Sequence, residues 1–232
     1  MSIYAIADLH LSFGENKPMD IFGANWEGHA EKIKEDWISK VKPNDLVLLP
    51  GDFPWAMYLK DTNYDFDYLN ELPGKKLLLK GNHDYWWTTI TSMRRYLQEN
   101  NYKDIDFIYN SSYEYEGHII CGTRGWTSLD LEDGKRILKR ERNRLKLSLE
   151  DGIAKYGTKK EIIVCMHYPP FNTMDDEECN FISLMKQYNV KKCIYGHLHG
   201  PSHKEAKEGL IEGIEFKLVS CDYTDFKLIQ LS

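Results

Sequence analysis

The chain carries five short polar motifs, and each one directly follows an apolar run of strand character. The motifs are, in chain order, Asp8-Leu9-His10, Gly51-Asp52, Gly81-Asn82-His83-Asp84, His167 and Gly196-His197-Leu198-His199. In open α/β sheets, functional groups gather beyond the carboxyl ends of the strands, so groups that are far apart in sequence meet at one edge. The sequence therefore predicts that these five motifs form a single site.

The apolar runs themselves predict the fold class. Continuous rather than alternating apolar stretches are typical of strands that are buried on both faces. They are found over residues 3–7, 46–49, 76–79, 119–121, 162–166 and 192–195. Helical periodicity between them predicts helices over residues 28–41, 85–98 and 136–156. Strands that alternate with helices indicate an α/β protein, with two packed mixed sheets and helices on the outer faces.

Two further segments predict β-hairpins. Residues 214–220 and 226–231 are apolar runs separated by the turn-like segment 221–225, so they predict a closing hairpin at the end of the chain. Residues 113–116 and 118–121 predict another hairpin around Gly117. In the first helical segment, Ile33, Trp37, Ile38 and Val41 recur at helical spacing and predict the buried face.

Length and composition narrow the class of protein. With 232 residues, 42% of them hydrophobic, the chain predicts one domain over residues 1–232. Its formal net charge of -6 argues against strong binding to nucleic acid, because that binding requires clustered Lys and Arg. The start of the chain lacks the pattern of a secretory signal, and no stretch reaches the ~18 apolar residues that a membrane span requires. We therefore expect a soluble cytoplasmic protein without a membrane partner. The oligomeric state, including a dimer, stays an open question at this point.

The five cysteines predict reduced thiols. They are odd in number, contain no C-x-x-C pair and lie mostly in apolar, strand-like surroundings. Their positions are Cys121, Cys165, Cys179, Cys193 and Cys221. Buried cysteines without disulfide bonds are the expectation.

The residue types in the five motifs are those of a metal site. On a strand, side chains two residues apart point to the same side, so Asp8 and His10 could reach one ion, and His197 and His199 likewise. Carboxylate, amide and imidazole groups suit Mn²⁺, Fe²⁺/Fe³⁺, Zn²⁺, Co²⁺ or Ni²⁺, and they offer no all-oxygen cage for Ca²⁺. The sequence therefore predicts ligands for two such ions.

In type and order, these motifs resemble the D-x-H, G-D, G-N-H-D/E, H and G-H-x-H motifs of the calcineurin-like metallophosphoesterases. The resemblance runs from Asp8 to His199 and implies a four-layer α/β/β/α sandwich. It also implies two metal ions, with Mn as the first expectation. The implied ligands are Asp8, His10 and His199 for the first ion, Asn82, His167 and His197 for the second, and Asp52 as the bridge between them.

The resemblance also implies a reaction, the hydrolysis of a small phosphate monoester or diester by a hydroxide held between the ions. His83 would face the substrate and protonate the departing oxygen, and Asp84 would orient His83 and raise its pKa. For Arg124, which follows a predicted strand, two interpretations stay open. Its guanidinium either clamps a substrate phosphate or makes a surface ion pair.

Sequence differences within the superfamily favour the phosphodiesterase and general phosphohydrolase branches. Protein phosphatases carry D-R-G shortly after the second motif and Glu after the G-N-H, whereas this chain has Gly51-Asp52-Phe53-Pro54-Trp55 and Asp84. Tyr beside the bridging aspartate, as in purple acid phosphatases, is also missing. A scaffold that keeps the fold without turnover is the main alternative, although all the motif residues are present here.

Aromatic residues crowd the motif loops, where several interpretations stay open. They stack on a nucleobase or an aryl ester of the substrate, roof the site, form a subunit contact or simply pack. They are Phe53, Trp55, Tyr85, Trp86, Trp87, Trp126, Tyr168 and Phe171.

Overall fold

Two mixed β-sheets lie face to face in the computed structural model, which describes residues 1–127, 133–171 and 178–232. The first sheet has the strand order β11-β1-β2-β3-β4, in which only the β11–β1 pair is antiparallel. Its strands are β1 (Ile3–Ala5), β2 (Leu46–Leu49), β3 (Lys75–Leu78), β4 (Ile105–Phe107) and β11 (Ile229–Gln230).

The second sheet has the order β5-β6-β7-β8-β10-β9, with antiparallel pairs at its two edges and parallel pairs between them. Its strands are β5 (Tyr113–Tyr115), β6 (His118–Thr123), β7 (Glu161–Met166), β8 (Lys192–Tyr195), β9 (Gly209–Ile211) and β10 (Ile214–Leu218). The predicted hairpin around Gly117 is confirmed, since β5 pairs with β6.

Helices cover the outer face of each sheet. They are α1 (His29–Lys40), α2 (Asn63–Glu71), α3 (Ile90–Glu99), α4 (Gly134–Tyr156) and α5 (Phe181–Gln187). In the described ranges, none of them is long and apolar enough to cross a membrane. The predicted α1 is confirmed, although Ile38 on the predicted buried face is exposed. The helix predicted from residue 85 begins at Ile90, where Thr89 caps it by accepting a hydrogen bond from the Ser92 N–H.

Three hydrophobic clusters fill the interfaces between the four layers. Alternate residues of one strand belong to different clusters: Ile3 and Ala5 face the other sheet, whereas Tyr4 and Ile6 face the helices. A third cluster lies between the second sheet and α4 and α5. This double burial explains why the strands are continuously apolar, and it confirms the predicted α/β/β/α sandwich. The five cysteines are buried and form no disulfide bond in the described chain, as expected.

The predicted hairpin at the end of the chain is wrong. β10 pairs in parallel with β8 in the second sheet, whereas β11 pairs antiparallel with β1 in the first sheet. The segment between them crosses from one sheet to the other, and Phe226 and Leu228 are buried there against the first sheet. A turn between two apolar runs identifies two strands, but it does not identify their partners.

Candidate metal centre

The seven predicted ligands all lie just beyond the carboxyl ends of parallel strands. They follow β1, β2 and β3 in the first sheet, and β7 and β8 in the second. Backbone hydrogen bonds hold these loops together: the Asp8 N–H donates to the Gly51 carbonyl, and the His10 N–H donates to the Asp52 carbonyl, both at 3.0 Å. A parallel bridge between Ala7 and Ser220 joins the two sheets at this point. The site therefore lies where both sheets meet.

A first group of side chains contains Asp8, His10 and His199. One potential ligand atom from each residue lies within 4.8 Å of the others. The Asp8 Oδ1 is 3.5 Å from the His199 Nε2. Asp8 and His10 are buried, and the His10 Nδ1 and His199 Nε2 atoms have no hydrogen-bond partner among the described residues. Buried nitrogens without partners are uncommon in proteins and call for an explanation such as an ion.

A second group contains Asn82, His167 and His197. The Asn82 Oδ1 lies 2.6 Å from the His167 Nε2 and 2.9 Å from the His197 Nδ1. Asp52 lies between the two groups, because its Oδ2 is 3.5 Å from the His167 Nε2 and 3.8 Å from the His10 Nε2. The structure thus brings all seven predicted ligands into one continuous cluster.

Left-handed backbone conformations, rather than strand alternation, aim several of these side chains. The φ angles are 61° at Asp8, 46° at His10, 54° at Asp52 and 73° at His197. Residues other than glycine seldom adopt such angles, and where they do the strain is often found at functional sites. The prediction that Asp8 and His10 converge because they alternate on a strand is therefore wrong in its reason: β1 ends at Ala5 and turns bring them together.

Two motif glycines allow the loops to approach each other. A Cβ on Gly196 would lie 2.5 Å from the Asp8 Oδ2, and one on Gly81 would overlap the Asp52 side chain and backbone. A larger residue at Gly196 would therefore displace the Asp8 carboxylate, and one at Gly81 would displace Asp52. The glycines of the third and fifth motifs thus have a structural role in packing the loops.

The buried charges shift each other's pKa values. Burial raises the pKa of Asp52, and the nearby Asp8 carboxylate raises it further, to about 8. Burial lowers the pKa of His199, but the charge of Asp8 and a hydrogen bond to Asp222 outweigh it and raise the value to about 10. Burial, then the charge of His167, lowers the pKa of His197 to about 3. The crowded Asp8 and Asp52 carboxylates form an environment that a cation would stabilise.

Asp84 does not have the role that the sequence predicted for it. Its buried carboxylate accepts hydrogen bonds from the N–H groups of Asp52, Phe53 and Gly81 and from the Trp86 indole. These bonds hold the loop that carries Asp52. Within the described chain, no hydrogen bond joins Asp84 to the His83 imidazole, and the pKa of His83 is lowered rather than raised, first by burial and then by His167.

His83 itself lies over the cluster. Its backbone N–H donates to the Asp52 Oδ1 at 2.8 Å, and its ring lies 5.7 Å from the His10 ring and 4.6 Å from the Trp55 ring. The Nδ1 atom is buried without a partner among the described residues. His83 is thus adjacent to both groups of candidate ligands without belonging to either.

Sequence reasoning missed Asp222, which supports the first group. Its Oδ1 accepts a hydrogen bond from the His199 Nδ1 at 2.8 Å, and its Oδ2 accepts one from the Gly200 N–H at 3.1 Å. The Oδ2 also lies 3.2 Å from the His203 Nε2. A carboxylate on the remote nitrogen of a histidine orients the ring for a metal. Asp222 lies shortly after the end of β10, just as the motifs lie after the ends of their strands. This position at a strand end was the signal available in the sequence.

A cavity of about 560 Å³ opens beside the first group. Its aromatic walls include Phe22, Trp26 and Trp55, and Trp55 stacks on His10 with ring centroids 4.8 Å apart. His83 and His203 also line the cavity. Of the aromatic residues of the motif loops, Trp55 lines this cavity, and Phe53 and Trp86 pack in the core. Stacking on a substrate stays a prediction.

Arg124 is partly buried behind the second group. Its carbonyl accepts hydrogen bonds from the His167 N–H at 3.2 Å and from the Tyr168 N–H at 2.9 Å. Its guanidinium lies 3.9 Å from the buried Glu141 carboxylate, at the limit of an ion pair, and 5.2 Å from the Trp126 ring. The backbone of Arg124 thus fixes the loop that carries His167.

Comparison with known proteins agrees with this geometry. The model of the calcineurin-like phosphoesterase family matches residues 1–201. The chain belongs to this family. Its members are generally metal-dependent phosphoesterases. This member's candidate metal ligands include two overlapping groups of carboxylates and imidazoles, Asp8, His10 and His199 in one and Asp8, Asp52 and His167 in the other. No curated protein matches the chain significantly.

Solved structures share the fold of this calcineurin-like phosphoesterase at low sequence identity. The protein TT1561 of Thermus thermophilus is 14% identical, with a TM-score of 0.61 over 99% of this chain and 97% of that one. A protein of unknown function from Aquifex aeolicus, AQ665, is 20% identical with a TM-score of 0.52, over 99% and 95% of the two chains. The phosphopantetheinyl hydrolase of Mycobacterium tuberculosis is 15% identical, with the same TM-score and coverage.

Proposed function

We propose that this chain is a dinuclear metal-dependent phosphohydrolase that cleaves a small phosphate monoester or diester. The observation that carries the proposal is the position of the Asp52 carboxylate, whose Oδ2 lies within 3.8 Å of a nitrogen from each group of candidate ligands. One carboxylate shared by two ligand groups is the arrangement that two adjacent cations require.

The residues fit two metal ions. Asp8, His10 and His199 would hold the first ion, Asn82, His167 and His197 the second, and Asp52 would bind both. The Asn82 amide oxygen and the two imidazole nitrogens beside it converge within hydrogen-bond distance, and the His10 Nδ1 and His199 Nε2 are buried without partners among the described residues. Mixed oxygen and nitrogen ligands suit a borderline ion, and we propose Mn²⁺ as the first candidate, ahead of Fe, Zn, Co and Ni.

The metals, when bound, supply the Lewis acidity that activates a water for attack on phosphorus and that neutralises charge on the phosphoryl oxygens. The protein's own contribution is rigidity. Asp84 fixes the Asp52 loop through two hydrogen bonds and its own loop through two more, and Asp222 fixes the His199 ring. Side chains that are already in position before the reaction cost no reorganisation in the transition state.

His83 is the proposed acid. It borders both groups and lines the cavity, so its imidazole lies beside the space where a leaving group would depart. Burial lowers its pKa in the free protein, which makes its proton easier to give up. A bound phosphate beside it would favour the protonated form, because a nearby negative charge raises the pKa of an imidazole.

The cavity supports a substrate with an apolar or aromatic group. Trp26 and Trp55 offer flat faces on which such a group could stack, and Asn25 and His203 offer hydrogen bonds on the same wall. Arg124 is the proposed contact for a substrate phosphate on the side of the second ion.

The proposal is tested by measuring the hydrolysis of p-nitrophenyl phosphate and bis-p-nitrophenyl phosphate. The protein is first stripped of metal and is assayed before and after the addition of Mn²⁺. We expect turnover that depends on the metal and is lost in Asp52→Asn. Asp104→Asn is the matched control, because Asp104 is exposed and directly precedes β4, at the opposite edge of the sheet. If the protein binds two metal ions but hydrolyses neither these esters nor other phosphate esters, the result would instead support a scaffold protein.

A further inference from the structure

A small basic cavity lies close to the loops of the metal centre and shares no lining residue with the aromatic cavity. It has a volume of about 40 Å³, and its polar lining includes Lys80, Trp87, Arg124, Glu141 and Arg144. Lys80 directly precedes the third motif, and the Arg124 carbonyl is bound by the N–H groups of His167 and Tyr168. The cavity thus lies directly behind the loops that carry the second group of candidate ligands.

Positive charge exceeds negative charge around this cavity. The buried Glu141 carboxylate accepts hydrogen bonds from Arg144 at 2.8 Å and from Thr123 at 2.9 Å. Arg140 also donates to it, at 3.2 Å, from outside the cavity lining. Glu141 is therefore shared among several cations, and Arg124 reaches it only at 3.9 Å.

Lys80 adds a further charge. In the part of the chain that the structure describes, no hydrogen bond or ion pair involves Lys80, and the nearby Arg124 and Arg144 repel its ammonium group. The other nearby carboxylate is Asp84, whose oxygens already accept four N–H bonds. Positive charges that lie close together without enough negative charges beside them repel each other and destabilise a protein, and a bound anion relieves this repulsion.

Two donors in the cavity lining lack acceptors. The Arg124 Nε and the Trp87 Nε1 are buried and have no hydrogen-bond partner among the described residues, and Trp87 is only 7% exposed. A buried donor without an acceptor costs free energy, so native proteins rarely keep one unless water or a ligand satisfies it. Donors and positive charge in the same lining both indicate that the missing partner is an acceptor with negative charge.

We propose that Lys80, Trp87, Arg124 and Arg144 form a binding site for a phosphate-type oxyanion next to the metal centre. The cavity has room for about three water molecules, which is the scale of one small oxyanion rather than of an organic group. The anion is either a second phosphate group of the substrate or free inorganic phosphate. The first source rests on the proposed function, because it makes the substrate a phosphate ester with two anionic groups. Binding of an anion to this cavity does not in itself depend on the proposed function.

Binding of inorganic phosphate to the full chain without added metal tests the site directly. We expect wild-type protein to bind phosphate in calorimetry, and Lys80→Gln to weaken this binding about tenfold, as for the loss of one charged hydrogen bond. Lys80 is the first choice because it makes no hydrogen bond or ion pair within the described fold, and Arg144→Gln is the second variant. Arg136→Gln is the control, since Arg136 lies on the same helix and is exposed. Equal phosphate binding by the wild type and both variants would overturn the proposal, as would no binding by the wild type.

Kinetics of the metal-loaded enzyme distinguish the two sources. If the substrate carries the second anion, Lys80→Gln lowers kcat/KM for ADP about tenfold more than for p-nitrophenyl phosphate, because ADP alone has a second phosphate. If the ligand is free phosphate, the variant loses phosphate binding but keeps the ratio of the two kcat/KM values. Because phosphate binding is measured without turnover, a failure of the proposed hydrolysis would leave this test intact.

Discussion

Replacement of Asp222 by Asn tests whether this residue supports the metal centre. The side chain is 2% exposed, and its two oxygens accept hydrogen bonds from the His199 Nδ1 and from the Gly200 N–H. Asn has nearly the same shape but only one acceptor oxygen, so one of these two donors must face an NH₂ group. The substitution also removes the negative charge that strengthens the bond to His199.

The expected effect is a loss of metal affinity at one of two sites. Partners of metal-bound histidines contribute about 10- to 100-fold to affinity, or about 1.4 to 2.7 kcal/mol. The loss should be confined to the ion held by Asp8, His10 and His199, because no hydrogen bond joins Asp222 to the second group in the described residues. Calorimetric titration with Mn²⁺ should then show one weakened and one unchanged step.

Two controls make this measurement decisive. Asp225→Asn changes an exposed aspartate of the same turn, which pairs only with Lys227 in the described structure, and should leave both steps unchanged. In a His199→Ala background, Asp222→Asn should have no further effect on metal affinity, because the imidazole that Asp222 orients is gone. An Asp222→Asn protein that is folded and binds both ions within twofold of wild type would refute the role.

Three more predictions concern the same centre. Metal binding near pH 7 should release about two protons, because the pKa values of about 8 for Asp52 and about 10 for His199 leave both groups protonated in the free protein. Metal affinity should therefore rise with pH. Calorimetry in buffers of different ionisation enthalpy measures the number of protons released. Heat that does not depend on the buffer would contradict this. His83→Ala should lower kcat about 100-fold or more while elemental analysis still finds two metals; loss of metal would show that His83 is a ligand. Gly81→Ala should lower the metal content, since its Cβ overlaps Asp52, whereas Gly117→Asn, in a hairpin turn with open space, should not.

The sequence predicted the strands that bear the site because their signal is local. A strand buried on both faces must be apolar at every position, and a polar motif at its end stands out against it. Both properties can be read within ten residues of Asp8 or His167. The resemblance of these motifs to those of the family then implied which side chains meet, and the structure brings all seven together.

Other features depend on contacts across the chain, which local patterns do not encode. The segments around β10 and β11 have the pattern of a hairpin, yet they join different sheets because each finds a parallel or antiparallel partner in distant sequence. Asp84 looks like a partner for its neighbour His83, but its hydrogen bonds go to the Asp52 loop.

The sequence alone thus determined the α/β class, the strands and the candidate ligands, because hydrophobic pattern and ligand type are properties of the residues themselves. Only the tertiary structure decided how those ligands are aimed and supported. Left-handed turns at Asp8, His10 and Asp52 and the close approach at Gly196 depend on loops from both sheets packing at one edge. The support from Asp222 and the basic cavity around Glu141 arise in the same way, since long-range contacts place those side chains.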